Sequence, residues 1–101
     1  MNIENEIAGI FAPVSPKKII MFGSRAKESA DEYSDVDLIV VYETDKRFLD
    51  RLEELYLIWE LPVAVDILAY TPEEFERMKE ESSFVADAVA GGKVLYEEPA
   101  G

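Results

Sequence analysis

The stretch Phe22-Gly23-Ser24-Arg25-Ala26-Lys27-Glu28-Ser29-Ala30-Asp31-Glu32-Tyr33-Ser34-Asp35-Val36-Asp37-Leu38-Ile39-Val40 decides how this chain is read. Lys18 to Phe22 is an apolar run entered from lysines and closed by Gly23, the pattern of a buried strand. Val36 to Tyr42 is a second run rich in β-branched residues, and it predicts a second strand. Between them the spacing predicts a Gly-Ser turn, a short helix over Ser24 to Ser29 and a polar loop over 30–34. Asp35 and Asp37 lie two apart where the second strand begins, so their side chains share one face.

Two carboxylates held that close repel each other, and ionising both is costly unless a cation lies between them. A helix N-terminus beside a glycine suits a phosphate, because free amides point outward and the backbone can be approached closely. The two halves of the stretch share a cleft only if the two strands are antiparallel neighbours. Asp66 is a third piece, set in the otherwise apolar run Val63-Ala64-Val65-Asp66-Ile67-Leu68. A carboxylate buried in such a strand needs a partner. It either forms a core salt bridge or joins Asp35 and Asp37. Each piece alone also fits a plainer reading: a solvated loop end for the aspartates, a capped turn for Ser24.

Working outward, Ile3, Ile7, Ile10 and Phe11 recur at helical spacing until Pro13 and Pro16. After the second strand, Thr44 or Asp45 is placed to cap a helix reaching about Trp59, with Phe48, Leu52, Leu55 and Trp59 on one face. Pro62 ends it and opens a third strand, Val63 to Ala69. Thr71-Pro72-Glu73-Glu74 is a helix start with a capping threonine, proline at N1 and glutamate at N3. That helix carries Phe75, Met78 and Lys79 to Ser82-Ser83, where a second short helix begins and runs to Gly91-Gly92. Lys93 to Tyr96 is a last strand, followed by a frayed tail over 97–101. The order predicts one α/β domain over 1–101, with a mixed sheet of about four strands packed with helices and a core over about 18–96.

Composition narrows the chemistry. The 101 residues contain no cysteine and no histidine, which excludes disulfides, thiolate or imidazole metal sites and histidine-assisted nucleophiles. Any metal must sit on oxygen ligands, which favours magnesium, manganese or calcium. The net charge of −12 argues against direct binding of nucleic acid. The excess is uneven, and Lys17, Lys18, Arg25 and Lys27 form the one locally basic segment, flanking the Gly-Ser turn. No apolar run approaches the ~20 residues of a membrane span. The acidic N-terminus lacks the basic region of a signal peptide, so a cytoplasmic protein is expected. Neither a Walker-type nor a dinucleotide-binding glycine motif is present.

Gly23-Ser24-Arg25-Ala26, Ser34-Asp35-Val36-Asp37-Leu38-Ile39-Val40 and Val65-Asp66-Ile67 resemble the DNA polymerase β-like nucleotidyltransferase superfamily, and within it the minimal nucleotidyltransferase branch. The likeness runs from about Lys18 to Tyr96. What the resemblance implies is magnesium-dependent transfer of AMP from ATP to a hydroxyl, with release of pyrophosphate. Gly23 and Ser24 would hold the triphosphate, with Arg25 adding a phosphate contact. Asp35 and Asp37 would bind two magnesium ions, and Asp66 would bind the catalytic one and help deprotonate the acceptor.

The resemblance further implies a helical HEPN-domain partner, with this chain as the antitoxin of a type VII toxin–antitoxin pair that adenylylates a tyrosine of the HEPN ribonuclease. Alternatives are a non-catalytic antitoxin that neutralises its partner by contact, and a small-molecule transferase of the aminoglycoside type, for which a homo-oligomer would supply the acceptor pocket.

Overall fold

The computed structural model describes residues 3–26 and 35–99. Two apolar runs make the centre of a four-stranded sheet, β1 (Lys18–Phe22) and β2 (Val36–Val41). They pair antiparallel, with Lys18 opposite Val41 and Phe22 opposite Asp37. The third strand, β3 (Val65–Tyr70), lies parallel to β2, and β4 (Lys93–Glu97) lies antiparallel to β1, giving the order β3-β2-β1-β4. A mixed sheet follows, as the sequence predicts.

Parallel strands need a crossover, which the helix α2 (Phe48–Ile58) supplies between β2 and β3. With α1 (Ile3–Phe11) it covers one face of the sheet, over Ile7, Phe11, Ile19, Met21, Leu38, Val40, Leu55 and Ala69. The helices α3 (Pro72–Glu81) and α4 (Ser83–Gly91) cover the other face, over Ile20, Ile39, Val41, Phe75, Val85 and Ala88. The two sets alternate along β1 and β2, as the period of a strand requires. Both faces are therefore buried except at the end where β1 stops and β2 and β3 start.

Local chemistry sets most boundaries. Thr71 caps α3 in a complete capping box: its hydroxyl accepts from the Glu74 N–H, and the Glu74 carboxylate accepts from the Thr71 N–H. Ser82 ends α3 and caps α4, its hydroxyl accepting from the Val85 N–H at 3.2 Å. Two element starts need correction. The helix α2 begins at Phe48, beyond Thr44 and Asp45, because residues 42–45 leave the sheet without helical turns and the Thr44 hydroxyl accepts locally from the Lys46 N–H. The third strand starts at Val65, since its pairing with β2 begins only opposite Val36.

The basic segment is not one patch. Lys17 and Lys18 stand at the opposite end of β1 from the turn, paired with Glu98 and Glu97 at 2.9 and 3.0 Å. Those pairs, and a Glu98 N–H donated to the Lys17 carbonyl at 2.8 Å, hold 97 and 98 in place where a frayed tail was expected. Lys27, the loop over 30–34 and residues 100–101 lie outside the described residues.

Arg51 is the other departure from pattern. It lies on α2 yet is only 7% exposed. Its guanidinium donates to the Lys46 carbonyl at 2.7 Å, the Ala69 carbonyl at 3.3 Å and Glu74 at 2.6 Å. One side chain thus ties the start of α2 to the end of β3 and the start of α3. Among the described residues no helix is long and apolar enough to cross a membrane.

Candidate active site

The open end of the sheet collects the residues that the sequence singles out. Antiparallel pairing brings the end of β1 against the start of β2, so Gly23 follows Phe22 directly opposite Asp37. Parallel pairing then sets Asp66 of β3 at the register of Asp37. Side chains at 35, 37 and 66 share the sheet face covered by α3 and α4. Phe22, Gly23, Asp37, Tyr56, Asp66, Ile67, Leu68 and Phe84 line one cleft of about 520 Å³ there.

Gly23 is the hinge of this arrangement. It opens a short 3-10 turn over Gly23–Ala26, in place of the helix expected from Ser24 to Ser29, whose later residues lie outside the described ones. Its φ is +75°, in the region that favours glycine. A Cβ at this position would overlap Oδ2 of Asp37. The glycine therefore lets the turn lie against the carboxylate. Gly23→Ala is expected to destabilise the chain by about 1–3 kcal/mol in urea unfolding, from the backbone conformation and the displaced carboxylate together. Combined with Asp37→Ala it should cost less than the sum, since only the backbone part survives; strict additivity would refute the contact.

Asp37 is the electrostatic centre. Its carboxyl is pushed above the ordinary aspartate range, first by burial, then by the charges of Asp66 and Asp35 and by hydrogen bonding to Asp66. Every one of these influences is relieved if positive charge enters the cleft. An all-oxygen donor set of this kind fits a hard divalent cation. The carboxylates do not make a closed cage, and among the described residues no group of three acidic side chains converges into one. Asp37 and Asp66 touch, whereas Asp35 is exposed at the strand entry and acts on Asp37 by charge.

Asp66 corrects the sequence argument: it is exposed rather than buried, because the second residue of β3 already faces the open end. No core salt bridge is needed to hold it. Ser24 is exposed and Arg25 half-buried in the turn, beyond the residues that line the cleft. The aromatic side of the cleft is not apparent from the motif. Tyr56 reaches over the edge of β3, its hydroxyl accepting from the Ile67 N–H at 3.0 Å, and Phe84 leans on Phe22. Both read in sequence as ordinary helix-face residues, and their only signal is an aromatic on a face that packing leaves open.

Comparison with known proteins matches the domain as a whole. The family model described as nucleotidyltransferase domain matches residues 3–93. A Haemophilus influenzae protein named probable protein adenylyltransferase MntA is 44% identical over 61 residues, covering 56% of this chain and 54% of that protein. MJ1305 of Methanocaldococcus jannaschii, provisionally named a protein adenylyltransferase, is 32% identical over 85 residues, covering 78% of this chain and 57% of that protein. The chain thus spans little more than half the length of these curated relatives.

Among solved structures, a toxin–antitoxin complex with AMP-PNP superposes with a TM-score of 0.65 at 25% identity, over 94% of this chain and 73% of that one. An MntA–HpeT toxin–antitoxin mutant, with two aspartates two positions apart changed to glutamate, gives 0.66 at 23% identity over 97% and 75%, a likeness of fold. A Sulfolobus solfataricus protein described as a nucleotidyltransferase gives 0.63 at 16% identity over 95% and 78%, a likeness of fold alone.

Proposed function

Because the chain belongs to the nucleotidyltransferase domain family, we propose that it transfers AMP from ATP to a hydroxyl of a HEPN-domain ribonuclease, a tyrosine, as the antitoxin of a toxin–antitoxin pair. The single observation that carries this reading is the Gly23 turn lying against Asp37, with Asp66 in register beside it. A turn that admits phosphate then faces carboxylates that call for a cation.

In this reading the backbone at Gly23 and Ser24 receives the triphosphate, with Arg25 as a further phosphate contact. The acceptor oxygen attacks the α-phosphorus, the bond to the bridging oxygen breaks and pyrophosphate leaves. Asp66, exposed at the cleft, takes the acceptor's proton. Asp35, Asp37 and Asp66 would hold magnesium, two ions in all, which supply charge neutralisation of the phosphates and a more acidic acceptor hydroxyl. The setting we propose is the cytoplasm, where ATP is at hand.

An external acceptor is supported by the surface of α2, where Leu49 and Leu57 are 76% and 77% exposed. The acidic surface also suits a basic, RNA-cleaving partner. The purified chain, incubated with magnesium, α-labelled ATP and the partner that this reading calls for, a HEPN-domain ribonuclease from the same source, is expected to label that protein on tyrosine and release pyrophosphate. An unlabelled partner under these conditions would overturn the reading. The same exposed leucines also fit a second reading, an antitoxin that acts by contact alone; it requires a tight complex together with no magnesium-dependent ATP binding.

A further inference from the structure

Phe84 stands in the first turn of α4 and is 59% exposed, although its neighbours Val85 and Ala88 are core residues. Solvent at this position would accept any polar side chain. The ring meets Phe22 edge to face, with centroids 5.7 Å apart. Phe22 immediately precedes Gly23, so the two rings stand beside the turn. They border the cleft that holds Asp37 and Asp66, and they back a second hollow lined by Gly23, Asp87, Ala88 and Gly91. The Ser82 cap and the packing of Val85 fix the turn of α4 from which Phe84 projects.

We propose that Phe84, braced by Phe22, is a positioning residue against which the base of the incoming nucleoside triphosphate stacks. The inference deepens the proposed function and rests on it. Reaction geometry decides between base and acceptor as the occupant. In a displacement at phosphorus the attacking and leaving oxygens lie roughly in line. Pyrophosphate departs on the side of the Gly23 turn, so the acceptor approaches from the far side, where Asp66 and Tyr56 stand at the edge of β3. Phe84 lies on the turn side, because α4 packs on β1 and on the turn. This excludes the acceptor from Phe84. The base, joined through the ribose to an oxygen of the α-phosphorus that neither attacks nor leaves, is the remaining flat group able to reach the ring, and a π-face accepts any base.

Calorimetry in magnesium, with a non-hydrolysable ATP analogue and with inorganic tripolyphosphate as a base-free probe, tests this directly. Phe84→Ala is expected to bind the ATP analogue about five- to a hundredfold more weakly. Tripolyphosphate affinity should stay at the parent value, and Phe84→Trp should restore analogue binding where Phe84→Leu does not. Unchanged analogue affinity in Phe84→Ala, or equal loss of both ligands, would overturn the proposal. A parent chain that binds neither ligand would instead overturn the nucleotidyltransferase reading beneath it, and thermal unfolding of each variant verifies that the fold is intact.

Discussion

Asp37→Asn is expected to lower nucleotidyl transfer at least about a hundredfold while leaving the fold as stable as the parent, or more stable, in magnesium-free buffer. The two effects have one origin. Burial and the charges of Asp66 and Asp35 all raise the Asp37 pKa above its ordinary value of 3.8. Its folded form therefore binds more protons than the unfolded chain between 3.8 and the raised value, and stability falls as pH rises through that window. An amide at 37 carries no such penalty, but it also cannot neutralise a cation. Magnesium should stabilise the parent chain by mass action and leave Asp37→Asn unmoved. Parallel thermal melts with and without magnesium, beside the transfer assay, check both halves. A variant that loses stability and activity together would place Asp37 in the framework of the fold instead.

The second large effect is expected at Arg51. Arg51→Met should destabilise the chain by about 2–4 kcal/mol, because it leaves the Glu74 carboxylate and the Lys46 and Ala69 carbonyls without their shared donor. For a domain of this size that corresponds to a fall in melting temperature of about 10–20 °C. Arg51 also holds the Glu74 carboxyl below its ordinary value of 4.5, with the Thr71 cap helping and burial opposing. A depressed carboxylate contributes stability that is complete above its unfolded pKa and is lost as pH falls through the folded one. The parent should therefore lose this contribution below about pH 4.5, and Arg51→Met should show a flatter acid limb. Adding Glu74→Gln to Arg51→Met keeps the capping box and removes the stranded charge, so part of the loss should return. Equal acid sensitivity in parent and variant would count against the pair as a source of stability.

The features legible in sequence are those whose chemistry is local or whose alternation is strict. Lys18 to Phe22 and Val36 to Tyr42 declare themselves as strands, the second ending one residue earlier than expected, at Val41, and the demand that Gly23 and Asp37 meet leaves only antiparallel pairing. Thr71 and Ser82 announce their helices because a cap is made within three residues. What stays hidden depends on distant partners. Arg51 flanks the apolar face of α2, but its charge suggests solvent, and only the return of β3 and α3 supplies the partners that bury it. Asp66 looks buried because its neighbours are apolar, yet its burial is set by how far along the sheet the strand is covered. Phe84 has the spacing of a core residue, and the cleft that leaves it open forms only when α4 lies across the end of β1.

The pairing of β4 with β1 has a consequence for how the chain is made. β1 lies early in the sequence, and one of its two edges is covered only by the final strand in chain order. Until β4 is in place, that apolar strand edge is open to any neighbouring polypeptide. Lys17 and Lys18, which later pair with Glu98 and Glu97, place positive charge along that edge in the meantime. Lysines are the residue type that disfavours such pairing, and the same two hold the last strand once it is in place.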